Sequence, residues 1–564
     1  MKHFNPYMAL GQVYRELTHI KRFKKALKNP RLAQEEKLLE FIKRNEDTEF
    51  GRKHRFSEIK NIKDFQRNVP PSTYEDLEPY IERSMAGGEK QLSKEKPLMY
   101  ATTSGTTGKP KFIPITESHL KDYTHAFHVH NWGLIKDNPA AAHAPGGKYL
   151  IFNSNDQEGF TKDGTPYGAV SGLLRRRQSA LIQRYFALPQ FVSRIKNIES
   201  KYYSILRFAM SQKVVAVTSC NPSTLLLLAD QLKEHADSLI KDLFDGGMPA
   251  AFKPTEVSDE ELLPFLGKDK ERARKLAKIL EAKGHLTIPE LWPELSIVSV
   301  WKGGPMPFYL SKLPEKFGDL KIRDFGYMAS EGRGTIPLSD EGAGGPAALS
   351  SHFFEFVPEE DEGKAIKRYL TLDELEAGKR YFIHFTTAAG LYRYNINDLM
   401  EVTGFENATP ILQFVQKGMG VSSITGEKLT EEQVSTAIQY AIRQHGLNNV
   451  DHFILAVQLA ETPFYSGFVE CSLDLPESVL NAVARTIDQS LQLQNLEYKD
   501  KRLSLRLERL TLQNLPLGTF KKLRQKRVID GAPEAQVKIP FLTNNINFCS
   551  DIAKLVNSEL ALQS

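Results

Sequence analysis

The segment Thr102-Thr103-Ser104-Gly105-Thr106-Thr107-Gly108-Lys109-Pro110-Lys111 gathers the residue types that bind polyphosphate. Glycines let the backbone turn its N–H groups toward an oxyanion, hydroxyls add short donors, and lysines supply charge. It is not a Walker A loop. That motif needs four residues between its glycines and a Ser or Thr after the lysine, whereas here Thr106 and Thr107 alone separate Gly105 from Gly108, and Pro110 follows Lys109. On composition alone, the alternative is a flexible surface loop.

Two further segments end in carboxylates. In Asp324-Phe325-Gly326-Tyr327-Met328-Ala329-Ser330-Glu331-Gly332, Tyr327 could stack on a base and Glu331 could hold Mg2+, a hard cation that takes oxygen ligands. In Gly390-Leu391-Tyr392-Arg393-Tyr394-Asn395-Ile396-Asn397-Asp398, the last side chain could accept hydrogen bonds from two ribose hydroxyls. A lone Asp at a strand end also reads as a turn former. His125, His128 and His130 offer imidazoles at spacings of three and two, which do not share one helical face, so no metal centre is expected there.

These residues need a scaffold. A chain of 564 residues exceeds what one hydrophobic core usually supports, so two or more domains are expected. Apolar residues at 41% and charged residues at 25% place it among ordinary globular proteins. The runs Tyr149-Leu150-Ile151-Phe152, Val214 to Thr218, Ile297 to Trp301 and Ile322 to Phe325 alternate with helical segments, which predicts βα units and an α/β fold with largely parallel sheets. Asn221 should cap a helix that Pro222 opens and that runs from Leu225 to about Ile240. Segments 341–347 and 358–364 read as loops.

After the strand-like Tyr394 to Asp398 and Ile411 to Val415, Lys417-Gly418-Met419-Gly420 reads as a joint. The division expected is 1–418 and 419–564, the second part a small α+β domain with helices over 430–445 and 476–492. Its strand-like runs are Phe453 to Val457, Gly467 to Leu473 and the alternating Leu503-Ser504-Leu505-Arg506-Leu507.

The formal charge of +5 is spread without long single-sign blocks, and Arg175-Arg176-Arg177 and Lys521 to Arg527 read as solvated helix faces, so no nucleic-acid partner is expected. No stretch reaches the ~20 apolar residues of a spanning helix, and no membrane partner is expected either. Cys220, Cys471 and Cys549 lie far apart, and the N-terminus lacks the apolar run of a signal peptide. A cytoplasmic protein is expected.

Beyond their chemistry, the motifs resemble those of a known family. The loop at 102–111 is similar to the phosphate loop of the acyl-adenylate-forming superfamily, which includes acyl-CoA synthetases and firefly luciferase. From about Phe50 to about Pro540 the chain resembles the Gretchen Hagen family, the acyl acid amido synthetases of plants and their bacterial relatives. Phe65-Gln66, Val69-Pro70 and Tyr74-Glu75-Asp76-Leu77 look like that family's approach to the loop.

The resemblance implies an N-terminal adenylation domain that uses ATP and Mg2+ to activate a carboxylic acid and pass it to an amine, with small-molecule substrates and an amino acid as acceptor, and a C-terminal domain that is mobile. It implies phosphate contacts by Ser104, Gly105, Thr106, Thr107, Gly108 and Lys111, and a Trp301-Lys302-Gly303-Gly304 turn near the adenine. Tyr327 would stack on the base, Glu331 would hold the metal, and Asp398 would hold the ribose. The segments Leu517-Gly518-Thr519-Phe520 and Gln536-Val537-Lys538-Ile539-Pro540 resemble the end of the family's C-terminal domain, which makes Lys538 the lysine that swings in during adenylation, with Lys428 a second candidate. Asn397 departs from the family, which has Gly before the ribose Asp, although Asn tolerates left-handed backbone. An acyl-CoA ligase and a catalytically silent nucleotide-binding regulator are the alternatives.

Overall fold

The computed structural model of the chain describes residues 6–104, 110–304, 306–362, 364–418, 421–422, 427, 429–447, 449–458, 460, 462–503, 507–529, 539–543 and 545–563. The chain divides into two compact units, one of Met1–Ile396 with Met400–Phe414, the other of Asn397–Leu399 with Val415–Ser564.

The larger unit contains the parallel sheet that the sequence predicts. Its strands Lys148–Ile151, Val214–Ser219, Ile297–Val300 and Lys321–Asp324 lie side by side in chain order, every neighbour parallel. The middle strands are buried almost throughout because helices cover both faces, which is why they read as unbroken apolar runs. The helix Pro222–Asp245 begins as expected: the Asn221 side chain accepts from the Ser223 N–H at 3.0 Å and Pro222 takes the first position. It runs five residues past Ile240, to Asp245, and ends on Gly246 at φ +77°. Trp292 fills the core beside this sheet and donates from Nε1 to the Ala209 carbonyl at 3.0 Å.

Among the described sheets of the larger unit, this one alone is parallel throughout. A second, mixed sheet runs Pro110–Ile115, Met99–Ser104, Pro166–Gly168, Gly159–Phe160, and a third has five strands in the order Gly345–Pro346, Thr409–Lys417, Tyr394–Glu406, Arg380–Thr386, Phe353–Pro358. Within the expected loop 341–347, Gly345 and Pro346 pair with Leu412 and Ile411, and 358–364 contains the short helical turn Glu359–Asp361.

The motif Gly390 to Arg393 braces this unit. Gly390 turns at φ +97°, where an added Cβ would lie 2.5 Å from the Leu92 side chain. Tyr392 donates to the Leu92 carbonyl at 2.8 Å and stacks on Phe50 at 4.8 Å. Arg393, 3% exposed, pairs with the buried Glu355 at 2.8 Å and donates to the carbonyls of Val69 and Gln66. Arg393→Ala should therefore leave Glu355 buried without its guanidinium and lower stability by about 3–5 kcal/mol in denaturant unfolding. An unchanged midpoint would contradict this role.

The smaller unit has a four-stranded sheet in the order Thr511–Leu515, Phe464–Cys471, Val450–Gln458, Leu542–Thr543, with helices Glu431–Gln444, Glu477–Gln494 and Phe548–Gln563. One sequence expectation is corrected. Leu503 ends the helix Leu496–Leu503, residues 504–506 lie outside the described residues, and the edge strand is Thr511–Leu515 instead.

Candidate active site

Strands Met99–Ser104 and Pro110–Ile115 pair antiparallel, with Thr103 opposite Lys111 and Ser104 opposite Pro110, so the two ends of the phosphate loop are drawn together. Gly105, Thr106, Thr107 and Gly108 lie outside the described residues, as does the side chain of Ser104. Lys111 is held from a neighbouring helix. Its Nζ lies 5.1 Å from the centroid of the Tyr74 ring and 3.9 Å from Glu75 Oε1. The Tyr74 hydroxyl accepts the Phe112 N–H at 2.9 Å, and burial pushes the phenol up to about 12, so the ring is a fixed, neutral shelf under the lysine. The helix Tyr74–Met85 is itself fixed by a capping box between Thr73 and Asp76. Glu75 is largely exposed, so its long contact with Lys111 is weak and a phosphate can replace it.

Trp301-Lys302-Gly303-Gly304 and Asp324-Phe325-Gly326-Tyr327 leave adjacent parallel strands at their carboxyl ends, where ligands bind in open α/β sheets. Asp324 ties them together. It is 2% exposed and accepts from the N–H of Lys302 at 2.9 Å and of Gly344 at 2.6 Å. Burial raises its pKa, and the backbone donors oppose that shift. Removing it in Asp324→Ala leaves those N–H groups unpaired, at about 1–3 kcal/mol each. The turn around Gly303 should loosen, raising KM for ATP at least about tenfold with kcat less affected; equal KM in a folded variant would remove Asp324 from the site.

An aromatic row runs through the same region. The Trp301 ring lies 5.2 Å from Phe414, and Phe414 stacks on Tyr327 at 5.7 Å and 13°. Gly304, at φ +60°, donates to the Phe414 carbonyl at 3.3 Å. Gly303 is required by closeness, since a Cβ there would stand 2.9 Å from Trp301 Nε1. Tyr327 is 4% exposed, with Phe414 along one side and Gly334 so near that a Cβ would fall 2.3 Å from Tyr327 Cδ1. Little of its ring is open to a base in this conformation, and Trp301, only partly buried, offers more aromatic surface.

Glu331 stands in the two-residue turn between Met328–Ala329 and Gly332–Arg333, 6% exposed. Tyr123 anchors this hairpin by donating to the Ala329 carbonyl at 3.1 Å. Arg333 locks its base. Fully buried, it donates to the carbonyls of Phe325 at 2.8 Å and Thr335 at 3.1 Å and lies 4.7 Å from the Phe127 ring. Among the described residues no three His, Cys, Asp or Glu side chains form a metal cluster. A single buried carboxylate suits Mg2+, which keeps waters and substrate oxygens as its other ligands.

Asp398 is 3% exposed on the strand Tyr394–Glu406 and is grouped with the smaller unit, whereas Lys111, Gly303, Gly304, Tyr327 and Glu331 are residues of the larger. Asn397 before it adopts φ +59°, the left-handed conformation that a glycine would take, and its carbonyl accepts from the Gly418 N–H at 2.8 Å. Lys428 and Lys538 lie outside the described residues. In the smaller unit, Glu470 accepts from the N–H groups of Gly518 at 2.6 Å and Phe520 at 2.8 Å, which fixes the start of the helix Thr519–Ile529.

The histidines of the helix Glu117–Asp137 diverge. His125 and His128 meet His19, with Nδ1 to Nδ1 at 2.7 Å and stacked rings at 4.3 Å, whereas His130 packs edge-on against Phe325 at 5.8 Å. Tyr74, Glu75, Asp324, Arg333 and Phe414 escaped the sequence reading as site-building residues. The pairing of Tyr74-Glu75 with the loop was visible as a motif, but nothing marked Phe414.

Comparison with known proteins follows the same order along the chain. Residues 19–322 match the GH3 family N-terminal domain, 346–417 its central domain and 432–547 its C-terminal domain. A jasmonoyl–L-amino acid synthetase of Oryza sativa subsp. japonica is 27% identical over 559 residues, covering 94% of this chain and 95% of the relative. An indole-3-acetic acid-amido synthetase of Arabidopsis thaliana is 26% identical over 565 residues, covering 93% and 91%. The solved structure of the GH3.15 acyl acid amido synthetase superimposes with a TM-score of 0.82 at 21% identity, covering 96% of this chain and 95% of that one, and so shares the fold. The chain belongs to the GH3 family.

Proposed function

We propose that the chain is an ATP-dependent acyl acid amido synthetase that joins a carboxylic acid to an amino acid. The observation that carries this reading is the succession, in order along one chain, of the N-terminal, central and C-terminal GH3 domains. The names of its relatives carry jasmonate and indole-3-acetate as the acids conjugated, and this chain takes an acid of that general kind.

A carboxylate resists attack by an amine because oxide is a prohibitive leaving group. In the first half-reaction a carboxylate oxygen bonds to the α-phosphorus and the bond to the β-phosphate oxygen breaks, releasing pyrophosphate. In the second, the amine nitrogen bonds to the acyl carbon, loses a proton, and AMP departs.

The protein supplies alignment and charge. Lys111, on its Tyr74 shelf, and Ser104 with Gly105, Thr106, Thr107 and Gly108 hold the β- and γ-phosphates. Gly303 and Gly304 form the base side of the site with Tyr327, whose ring stacks on the base once it is uncovered from Phe414, and Asp398 holds the ribose. The buried carboxylate of Glu331 fits Mg2+, which would neutralise charge on the phosphate oxygens. Lys538 and Lys428 serve the smaller unit's part in adenylation. The work is cytoplasmic.

Incubating the protein with ATP, a panel of carboxylic acids and either mixed amino acids or CoA, followed by mass spectrometry, tests this reading. An N-acyl amino acid is the expected product. An acyl-CoA thioester formed in its place would make the chain a CoA ligase.

A further inference from the structure

Residues Pro6–Arg15, Glu16–Ile20 and Lys21–Lys28 follow one another as helix, with a π turn in the middle. The inner side is marked by Ile20, Phe23, Ala26 and Leu27, each 8% exposed or less. On the outer side, Leu10, Val13, Tyr14 and Leu17 are exposed at 66, 56, 54 and 57%. Their spacing of three, four and seven places them on one stripe. Single apolar residues on a surface are ordinary, but a contiguous exposed stripe marks an interaction site.

The stripe continues as charge. Lys21, Arg22, Lys25 and Lys28 are exposed on the turns that follow. Counting Arg15 and Lys24, residues 6–28 hold six basic side chains against the single acidic Glu16, a net +5 that equals the formal charge of the whole chain. Trp132, half-buried on the adjacent helix, lies between Lys24 and Lys136, at 4.8 and 5.2 Å from its ring. The face is also anchored: His19, in the π turn, meets His125 and His128 on that same helix.

We propose that this face docks on an anionic membrane surface. Leu10, Val13, Tyr14 and Leu17 enter the boundary between headgroups and acyl chains, while Lys21, Arg22, Lys25 and Lys28 meet lipid phosphates. Charge decides the occupant, because a second copy placed face to face would set the same cations against each other, whereas anionic headgroups complement them. No described helix is long and apolar enough to cross a membrane, so the contact is peripheral, reversible and weakened by salt. The absence of a spanning segment among the described helices leaves such a surface contact open, because it needs none.

Co-sedimentation of the full chain with phosphatidylcholine vesicles, with and without phosphatidylglycerol, tests the proposal. Binding is expected only to the anionic vesicles and should fall as salt is raised. The triple variant K21Q/R22Q/K25Q should bind at least about tenfold more weakly, and L10S/L17S should weaken binding severalfold. Both should keep pyrophosphate exchange in solution, since none of these residues belongs to the catalytic machinery. No binding to anionic vesicles, equal binding with both lipid compositions, or undiminished binding by both variants would overturn the proposal. So would a dimer of the wild-type chain that L10S/L17S converts to monomer, which would make the face a contact between copies.

Discussion

Lys111→Ala should cut ATP–pyrophosphate exchange by about 10²- to 10³-fold, the usual loss when one charged group aimed at developing charge is removed. The fold should survive, because the register of Lys111 opposite Thr103 is made by backbone hydrogen bonds and the side chain is partly exposed. Tyr74→Phe serves as control. It keeps the ring beneath the lysine and loses only the hydroxyl that accepts from Phe112, so it should retain far more exchange than Lys111→Ala. Glu331→Gln should lose activity on a similar scale and need more Mg2+ to reach its maximum. Full exchange in Lys111→Ala, confirmed as folded, would remove that residue from phosphate binding.

Acidification should unfold the protein steeply between about pH 6.5 and 5. Burial holds His119, His128 and His384 down to about 4 and His125 to about 3, and it keeps His130 and His352 well below the usual imidazole range. In that window the unfolded chain binds protons at these sites and the folded chain does not, so stability falls as pH falls. Each group can contribute up to about 1.4 kcal/mol per pH unit. Acting together they approach the ~5–15 kcal/mol that holds a typical domain within about two units. Asp122, Glu158 and Asp324 work in the opposite sense, since burial raises their pKa values, that of Asp122 to about 6, and they offset part of the histidines' effect. Calorimetry from pH 7.5 to 5 should show a continuous fall in Tm, which His125→Gln should make shallower. A Tm independent of pH across that range would contradict the burial of neutral imidazoles.

All six histidines belong to the larger unit, and their neutrality is a property of packing that no sequence spacing announces. His352, for instance, lies 5.4 Å from His119, a residue more than two hundred positions away in the chain. What the sequence does announce are features written in consecutive residues. The parallel strands were legible because helices on both faces demand unbroken apolar runs, and the helix at Pro222 because its cap and first residue are local signals. The edge strand Thr511–Leu515 was missed since Thr511 and Gln513 face outward on a sheet edge, while the more regular alternation at 503–507 begins inside a helix.

The candidate site divides in the same way. Lys111, Gly303, Gly304, Tyr327, Glu331 and Asp398 are legible as motif residues, and Asn397 as a residue able to take left-handed backbone. Asp324 was present in a motif, yet its function as a tie depends on backbone N–H groups of Lys302 and Gly344, which any residue type would supply. Phe414 packs on Tyr327 from a strand nearly ninety residues further on, so only the fold reveals that the Tyr327 ring is enclosed.

The central claim is that this chain activates an acid on ATP, and ATP–pyrophosphate exchange across a panel of carboxylic acids measures it directly. The account predicts Mg2+-dependent exchange that one class of acid stimulates and that Lys111→Ala cuts by about 10²- to 10³-fold. ATP binding with no exchange for any acid would contradict it and leave a nucleotide-binding protein without adenylating activity.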